Sequence, residues 1–591
     1  MAITEKYDQL DVGGGHHDGL PATHIADNEA AFAYNFYPFG RLIRRHGVKR
    51  LSTTPHTEAL TGSFAYRDRD GNWTVVVGGP TGLAKLSGTG FTPLAGTAVA
   101  ASNLPWDFFQ YKNVGYGFRS GAGMRRFDAD TFDQAGLAAP LVAPVIVAGG
   151  AGAVEAGNYY GVYTDYNTIT GAESNPSPKS PLVTSGGAAG LGWTSILASS
   201  NGQVNARRLY RTLPDQIGEY FFVATITDNF TTSYQDQITI DELGPTVSFD
   251  NGVPPTGLLF GDKWKDRVFA SDGFDVFYSE FGLPEAFASD SIINVLREDG
   301  GEVRSVRAWG SRLVVGKTNA VYYLTTSGPR TFARETLADR YGSFSQGTMK
   351  VVEGNLIWFT GDNFARSDGN KPTLIATSKI RQILDGISVS DKRLATAEIY
   401  SRYGLYLCSV PQFGSENNLL TLCYNYKSDA WTVFDHPDMD GSAPSNLAQV
   451  YDEDYGQKLY ASFGSSGHLY EYLADGCGLD DGTPISARWK SKAWSFKYPG
   501  LLNALKRLFL QCTSNGQTIT LTVYRNLSTQ VSKFRNVTLS KPDPWKVFNL
   551  STINEPAGLL QIGIEYNGED EFELSAVAME VLHLARSTRA E

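Results

Sequence analysis

One phrase recurs along most of this chain: an aromatic-rich strand, a tight turn of Gly, Asp or Asn, and a second aromatic-rich strand. It reads FAYRDRDGNWTVVVGG at Phe64–Gly79 and FFQYKNVGYGFRSG at Phe108–Gly121. It returns as KDRVFASDGFDVFYSE at Lys265–Glu280, GSRLVVGKTNAVYYL at Gly310–Leu324 and VVEGNLIWFTGDNFARSDG at Val351–Gly369. Two more copies are YGLYLCSV with LLTLCYNYKSDAWTVFD (Tyr403–Val410, Leu419–Asp435) and QKLYASFGSSGHLYEY (Gln457–Tyr472). Hairpins repeated in this way predict a β-propeller, a ring of blades in which each blade hides its faces only against its neighbours. Two copies precede a break in the pattern and five follow it, giving about seven blades of roughly 45 residues each.

Composition agrees with many short strands joined by turns. Aromatic residues make up 12% of the 591 positions, with 62 Gly and 26 Pro. A hydrophobic share of 42% against 19% charged residues is that of a globular chain, and the length favours several domains. The best short helix candidates are Ile380–Leu384 and the stretch before Pro38. The apolar run near Leu137–Ala148 is broken by Pro140 and Pro144 and is too short for a membrane span. The polar start MAITEKYDQLD does not read as a signal peptide. A net charge of −11 makes the chain a poor partner for nucleic acid by charge attraction, and suits a wall past which DNA slides.

The break in the pattern divides the chain into five segments. Residues 1–50 hold a Gly/His arm, GGGHHDG, and a first strand region, NFYPFGRLIRRHGVKRL. Residues 51–140 carry the first blades. Residues 141–256, with short strands about ten residues apart, read as an inserted β-sandwich of fibronectin III type. Blades resume over 257–478. Longer strands over 479–591 read as a C-terminal β-sandwich whose strands return to close the ring. The fold class is therefore all-β: a propeller with an inserted and a C-terminal sandwich.

Few residues suggest chemistry. The four Cys (408, 423, 477, 512) form no CxxC and lack metal-ligand spacing. Pairing Val410 with Leu419 sets Cys408 opposite Thr421 and Cys423 opposite Tyr406. The two sulfurs are expected on opposite faces without a disulfide, consistent with assembly in a reducing compartment. Gly310–Thr318 nearly matches a phosphate-binding P-loop. It has five residues between its glycines instead of four and precedes a strand instead of a helix, so a hairpin turn is expected. Asp68–Trp73 lacks the ligand count of a calcium loop and reads as an Asp-Gly turn. His16 and His17 beside Asp18 lack further ligands and read as a mobile interaction arm. Carboxylate runs at Asp438–Asp440, Asp452–Asp454, Asp480–Asp481 and Glu569–Glu571 read as solvated loop acids, with a glycosidase pair as the alternative. No GxSxG elbow and no Ser/His/Asp set is visible. No catalytic, cofactor or metal residue is assigned.

The sharpest charge asymmetry is Arg41, Arg44, Arg45, Lys49 and Arg50. It reads as a cluster that docks onto an acidic neighbouring ring or DNA, or as the solvated face of a strand. Arg207, Arg208 and Arg211 invite the same two readings. Loops at Gln412–Asn418 and Asp435–Ser445 are the candidate inward-facing gates.

The order of these pieces resembles a known family. NFYPFGRLIRRHGVKRL, then blades, then a sandwich carrying AESNPSPKS and RRLYRT, then WKDRVFASDGFDVFYSE is similar to the tail nozzle proteins of short-tailed bacteriophages. These are also called tail tubular protein B-like or tail hub proteins. The resemblance implies a non-enzymatic virion protein without cofactors, assembled in the host cytoplasm into a homo-oligomeric ring, a hexamer in that family. It implies adaptor ring proteins as neighbours, tail fibres or spikes as further partners, and viral genomic DNA passing through the ring without tight binding. The alternatives are a propeller glycoside hydrolase and a receptor-binding protein, both acting on host cell-surface polysaccharide.

Overall fold

The computed structural model describes residues 3–96, 98–387, 391–415, 417–439, 441–451, 456–496, 501–513, 516–527, 533–539, 545–550 and 555–584. Each copy of the repeated phrase lies within a unit of four antiparallel strands, which in blades 2, 6 and 7 is extended by further strands. Blade 1 runs Gly62–Arg67, Trp73–Gly78, Leu83–Ser87, Gly90–Pro93, and blade 2 begins at Asp107–Tyr111 and ends at Thr131–Gln134. Blades 3, 4 and 5 begin at Phe260–Trp264, Val303–Trp309 and Lys350–Val352, and blade 6 at Thr396–Tyr400. Blade 7 begins at Pro444–Tyr451. The first strands of blades 7 and 1 pack against each other, as do those of blades 1 and 2, 2 and 3, 3 and 4, 5 and 6, and 6 and 7. The short 3-10 turn Gln346–Thr348 fills the gap between blades 4 and 5, so the ring is closed.

Burial explains why each sheet needs its neighbours. Between every two blades lies one apolar cluster drawn from both. Tyr66, Trp106 and Phe127 join blades 1 and 2, and Trp309, Val314 and Trp358 join blades 4 and 5. Phe359, Tyr406 and Trp431 join blades 5 and 6, and Leu407, Cys423 and Leu459 join blades 6 and 7. A blade removed from the ring would expose both faces, because its strands are apolar on each side.

The strand that closes the ring comes from the beginning of the chain. Gly47–Arg50 is the fourth strand of blade 7, antiparallel to Tyr470–Ala474, with Val48 opposite Tyr472 and Lys49 opposite Glu471. The expectation that C-terminal strands close the ring is thus corrected. Beyond Leu479–Asp480, which pairs in parallel with Gly47–Arg50, the C-terminal segment forms its own sandwich and takes strands from residues 3–44 into it. Ile3–Asp11 pairs with Glu573–Leu584, and Phe36–Pro38 and Leu42–Arg44 extend the same sheet. Glu29–Tyr34 pairs antiparallel with Ser486–Ser491 in the second sheet and touches Val433 of blade 6 in parallel. The stretch before Pro38 is strand, not helix: it pairs with Ser486–Ser491 through a bulge between Ala30 and Phe32, and Ala30, Ala33 and Phe36 enter the sandwich core with Trp489, Leu508 and Phe572. Arg381–Asp385 is a short α-helix.

The inserted sandwich spans strands from Val145–Ala148 to Tyr234–Asp236 around Tyr159, Tyr163, Trp193 and Leu209. Polar contacts dock it on the propeller. Arg126 of blade 2 donates to Gln203 Oε1 at 3.1 Å, and Gln203 Nε2 to Gln134 O at 2.7 Å. Cys408 and Cys423 are free and lie in different interblade clusters, on opposite faces as expected. The register differs. Pairing Val410 with Leu419 would put both sulfurs on one face. A bulge at Leu419 pairs Val410 with Leu420 and Cys408 with Leu422, which separates them.

Val48 is 1% exposed at the closing strand. Val48→Asp is expected to lower the stability of the propeller by more than about 3 kcal/mol, as an unpaired buried carboxylate does. Urea unfolding followed by tryptophan fluorescence checks this; an unchanged midpoint would contradict closure by this strand.

Candidate functional site

The structure splits the basic cluster: Arg41, Lys49 and Arg50 are exposed, whereas Arg44 and Arg45 are buried and not available to a docking partner. Arg44 is 3% and Arg45 0% exposed. Arg44 donates from Nε to Asp570 O and from its two terminal nitrogens to Gly478 O and Glu569 O, each at 3.0 Å. Its guanidinium holds the Glu569–Glu571 turn by its carbonyls, and burial lowers its pKa. Arg45 donates to Asp480 Oδ1 at 2.9 Å and Oδ2 at 2.5 Å, to Asn35 Oδ1 at 2.9 Å and to Asp435 O at 3.0 Å. His436 completes this group, with Nδ1 at 3.2 Å from Asp480 and Nε2 at 3.1 Å from the Tyr472 hydroxyl. Burial alone would raise the Asp480 carboxyl, but the Arg45 guanidinium overrides it and holds it well below the carboxylate range. Burial and the same guanidinium push the His436 pKa down. On the surface, Arg41 pairs with Glu573 and Arg50 with Asp481, while Lys49 is exposed.

The second arginine group is structural in the same way. Arg207 and Arg211 are 0% exposed; Arg211 pairs with the buried Asp236 at 2.8 Å, and Arg207 donates to Ile196 O at 2.9 Å and Thr231 O at 2.6 Å. Arg208 pairs with Glu173 at 2.8 Å and lies 3.6 Å over the Tyr166 ring.

The Gly/His segment is not a mobile arm either. Gly15–His16 pairs in parallel with Glu29–Tyr34, and His16 and His17 are buried. His17 Nδ1 lies 2.6 Å from Glu29 Oε2, and Lys379 pairs with the same carboxylate. Gly15 has φ +78°, and a Cβ there would lie 2.4 Å from Trp431 O, so the glycine permits the approach. Gly310–Thr318 is a strand and turn, with Lys317 buried against Val295 O and Leu296 O at 3.0 and 2.8 Å. Asp68 Oδ1 accepts from Asp70 N and Asn72 N in a hairpin turn. Asp452–Asp454 and Asp440 lie outside the described residues, as do residue 416 and residue 440 of the two gate loops. No group of three His, Cys, Asp or Glu among the described residues is placed to hold a metal.

The site that sequence reasoning did not anticipate is the hub. The first strands of all seven blades surround a cavity of about 650 Å³. On one side, non-neighbouring blades are tied across it. Arg307 of blade 4 donates to Asp107 Oδ1 of blade 2 at 3.0 Å and lies 3.9 Å from Asp262 of blade 3. Gln346 Nε2 donates to Asp107 Oδ2 at 2.9 Å and to Val306 O at 3.1 Å. Gly261 N and Ala308 N donate to Asp107 and Asp262, each at 3.0 Å. Across the cavity, Lys350 pairs with Glu398 at 2.9 Å, and Ser63 Oγ donates to Asn446 Oδ1 at 2.5 Å. Burial raises the Asp262 carboxyl; it also opposes the charge on Arg307, where Asp107 and Asp262 more than offset it. Phe64 and Phe108, 5.7 Å apart and stacked, line the cavity, as do Trp73 and Tyr451, whose rings lie 6.0 Å apart. No sequence signal marked these residues, because Asp107, Asp262, Arg307 and Glu398 stand singly on strands of four different blades.

No protein-family model matches the chain, and no curated protein matches its sequence. Among solved structures it is similar to Hsv2 of Kluyveromyces lactis, at 7% identity over 43% of this chain and 66% of that one, with a TM-score of 0.24. It is also similar to the N-terminal domain of Nup159, at 10% identity over 45% of this chain and 85% of that one, with a TM-score of 0.25. A third likeness is to an exo-β-1,3-galactanase from Phanerochaete chrysosporium, at 10% identity over 86% of this chain and all of that one, with a TM-score of 0.18. At these scores none of the likenesses bears on activity or partners.

The Arg45–Asp480 pair yields a signed prediction. Arg45→Ala leaves Asp480 buried and unpaired, and is expected to destabilise the fold by about 3–5 kcal/mol. Because the Asp480 pKa is depressed on folding, its contribution is present above about pH 4 and is lost as pH falls below the carboxylate range. Asp480→Asn should therefore lower the melting temperature at neutral pH and narrow the gap to wild type in acid. An equal gap at both pH values would contradict the pairing.

Proposed function

We propose that this protein is a structural subunit of a closed ring, the tail nozzle of a short-tailed bacteriophage, and that it performs no catalysis. The observation that carries this reading is that the buried ionic groups are spent on holding the chain together. Arg44, Arg45, Arg207 and Arg211 clamp strands and turns, and the hub carboxylates are tied to cations and backbone amides. A propeller braced in this way is a stiff wedge, which suits a ring built from six copies. The inserted and C-terminal sandwiches supply two further surfaces through which a subunit meets different faces of its neighbours. The net charge of −11 fits a ring through which genomic DNA passes with little phosphate contact. In this reading the ring sits below the portal and adaptor rings in the virion tail, continues the ejection path, and offers attachment to fibres or spikes. The duplex runs through the ring of subunits. The hub of a single propeller, crossed by Arg307 and Gln346, does not carry it.

The competing reading is hydrolysis of a polysaccharide in the hub, favoured by Asp107, Asp262 and Glu398 sharing one cavity. A retaining or inverting glycosidase needs one carboxyl free to protonate the leaving oxygen and a second free to act as base or nucleophile. Here both oxygens of each carboxylate are engaged. Asp107 bonds Arg307, Gly261 N and Gln346; Asp262 bonds Lys263 N and Ala308 N; Glu398 bonds Lys350 and Ile399 N.

Native mass spectrometry and electron microscopy of the purified protein, with a parallel assay for reducing ends released from polysaccharide, separate the two readings. The structural reading expects closed rings with a central opening and no released ends. A monomer that releases reducing ends would overturn it in favour of the hydrolase.

A further inference from the structure

We propose that protonation of His436 loosens the seal of the propeller, so that the junction of Gly47–Arg50 with blade 7 is tight at neutral pH and weakens in acid. This goes beyond the ring-subunit reading and does not depend on assembly. His436 is 1% exposed and stands where the N-terminal segment, the exit of blade 6, blade 7 and the stretch after it meet. Its Nδ1 lies between a group that can only donate and a group that can only accept. Arg45 Nη2 is 3.0 Å away on one side and Asp480 Oδ2 3.2 Å away on the other. Without a proton, Nδ1 accepts from Arg45; with one, it donates to Asp480. Nε2, 3.1 Å from the Tyr472 hydroxyl, keeps its proton in both forms. A single proton therefore turns the imidazole from an acceptor for the guanidinium into a second cation beside it.

The carboxylates at the junction are already committed. The charged and titratable groups that face the imidazole are Arg45 from the N-terminal segment, Asp435 from the exit of blade 6, Tyr472 from blade 7 and Asp480 beyond it. Asp480 is matched by Arg45, and the Asp435 carboxylate is turned to Asn35 and Arg488. A buried imidazolium would meet the guanidinium with one carboxylate between them, and desolvation and repulsion both oppose it. The lowered pKa of His436 has these two causes. A histidine whose pKa is depressed on folding stabilises the fold fully above its unfolded value of about 6.5, and that contribution is lost as pH falls below it. The loss falls on the closing strand, because Arg45 leads into Gly47–Arg50 and Tyr472 is the cross-strand partner of Val48. His46, 3.6 Å from Asp475 on the same segment and also lowered by burial, is the competing sensor.

Hydrogen exchange of the Gly47–Arg50 amides at about pH 7.5 and about pH 5.5, corrected for the intrinsic pH dependence of exchange, tests the proposal on the full chain. The opening constant of the wild type is expected to rise on acidification, and to rise about tenfold more than that of His436→Gln, which cannot charge; this is the share of one histidine about one pH unit below its unfolded value. His46→Gln is expected to keep that tenfold share. His436→Asn, whose amide stands in for Nδ1, gives the same comparison with a shorter side chain should the Gln variant not fold. A wild-type opening constant that is equal at both pH values, or a rise that the His436 variants retain in full, overturns the proposal. A rise that His46→Gln alone removes assigns the sensor to His46 and overturns the role of His436.

Discussion

The fold depends on one pairing, that of Gly47–Arg50 with Tyr470–Ala474. A propeller with an open seam leaves a strand edge unpaired and two blade faces in water. Here the seam is sealed by a strand whose partner lies more than four hundred positions away, so the two ends of the chain must come together. Glu29–Tyr34 is thereby placed beside blade 6, and the strands that precede Gly47 join the C-terminal strands as one sandwich. Arg45 sits at the crossing. It touches Asn35 from the N-terminal segment, Asp435 and His436 from the exit of blade 6, and Asp480 beyond blade 7. A single buried guanidinium thus joins the three stretches of chain that meet at the seam. Its desolvation is tolerable because its hydrogen-bond capacity is almost wholly used.

The hub repeats this logic on a smaller scale. Adjacent blades are held by apolar clusters, with Lys350–Glu398 added between blades 5 and 6. Non-adjacent blades share no such cluster, and Arg307 with Gln346 supplies the tie between blades 2, 3, 4 and 5. The first strands of all seven blades line the hub cavity, the tied residues among them.

The sequence shows clearly what is local. A turn of Gly, Asp or Asn between aromatic strands is written within about twenty residues, so blade number, the interruption after blade 2 and both sandwiches were legible. What depends on distant partners was not. Arg44 and Arg45 look like a surface cluster because their acceptors, Gly478, Asp480, Glu569 and Asp570, lie far along the chain. The glycines around His16 and His17 suggest mobility, yet Gly15 serves close approach to Trp431 and His17 is held by Glu29. The bulge at Leu419 shifts a register that simple counting sets one residue off. The hub residues escape sequence reading altogether, because each stands alone on its strand and only closure of the ring gathers them.

Hydrogen exchange at the backbone amides of Gly47–Arg50 tests the closing role most directly. If the ring is sealed by this strand, these amides exchange only when the propeller unfolds as a whole, with protection equal to that of the central strands of blades 6 and 7. Exchange of this strand well ahead of those blades would show a seam that opens on its own, and would contradict the account.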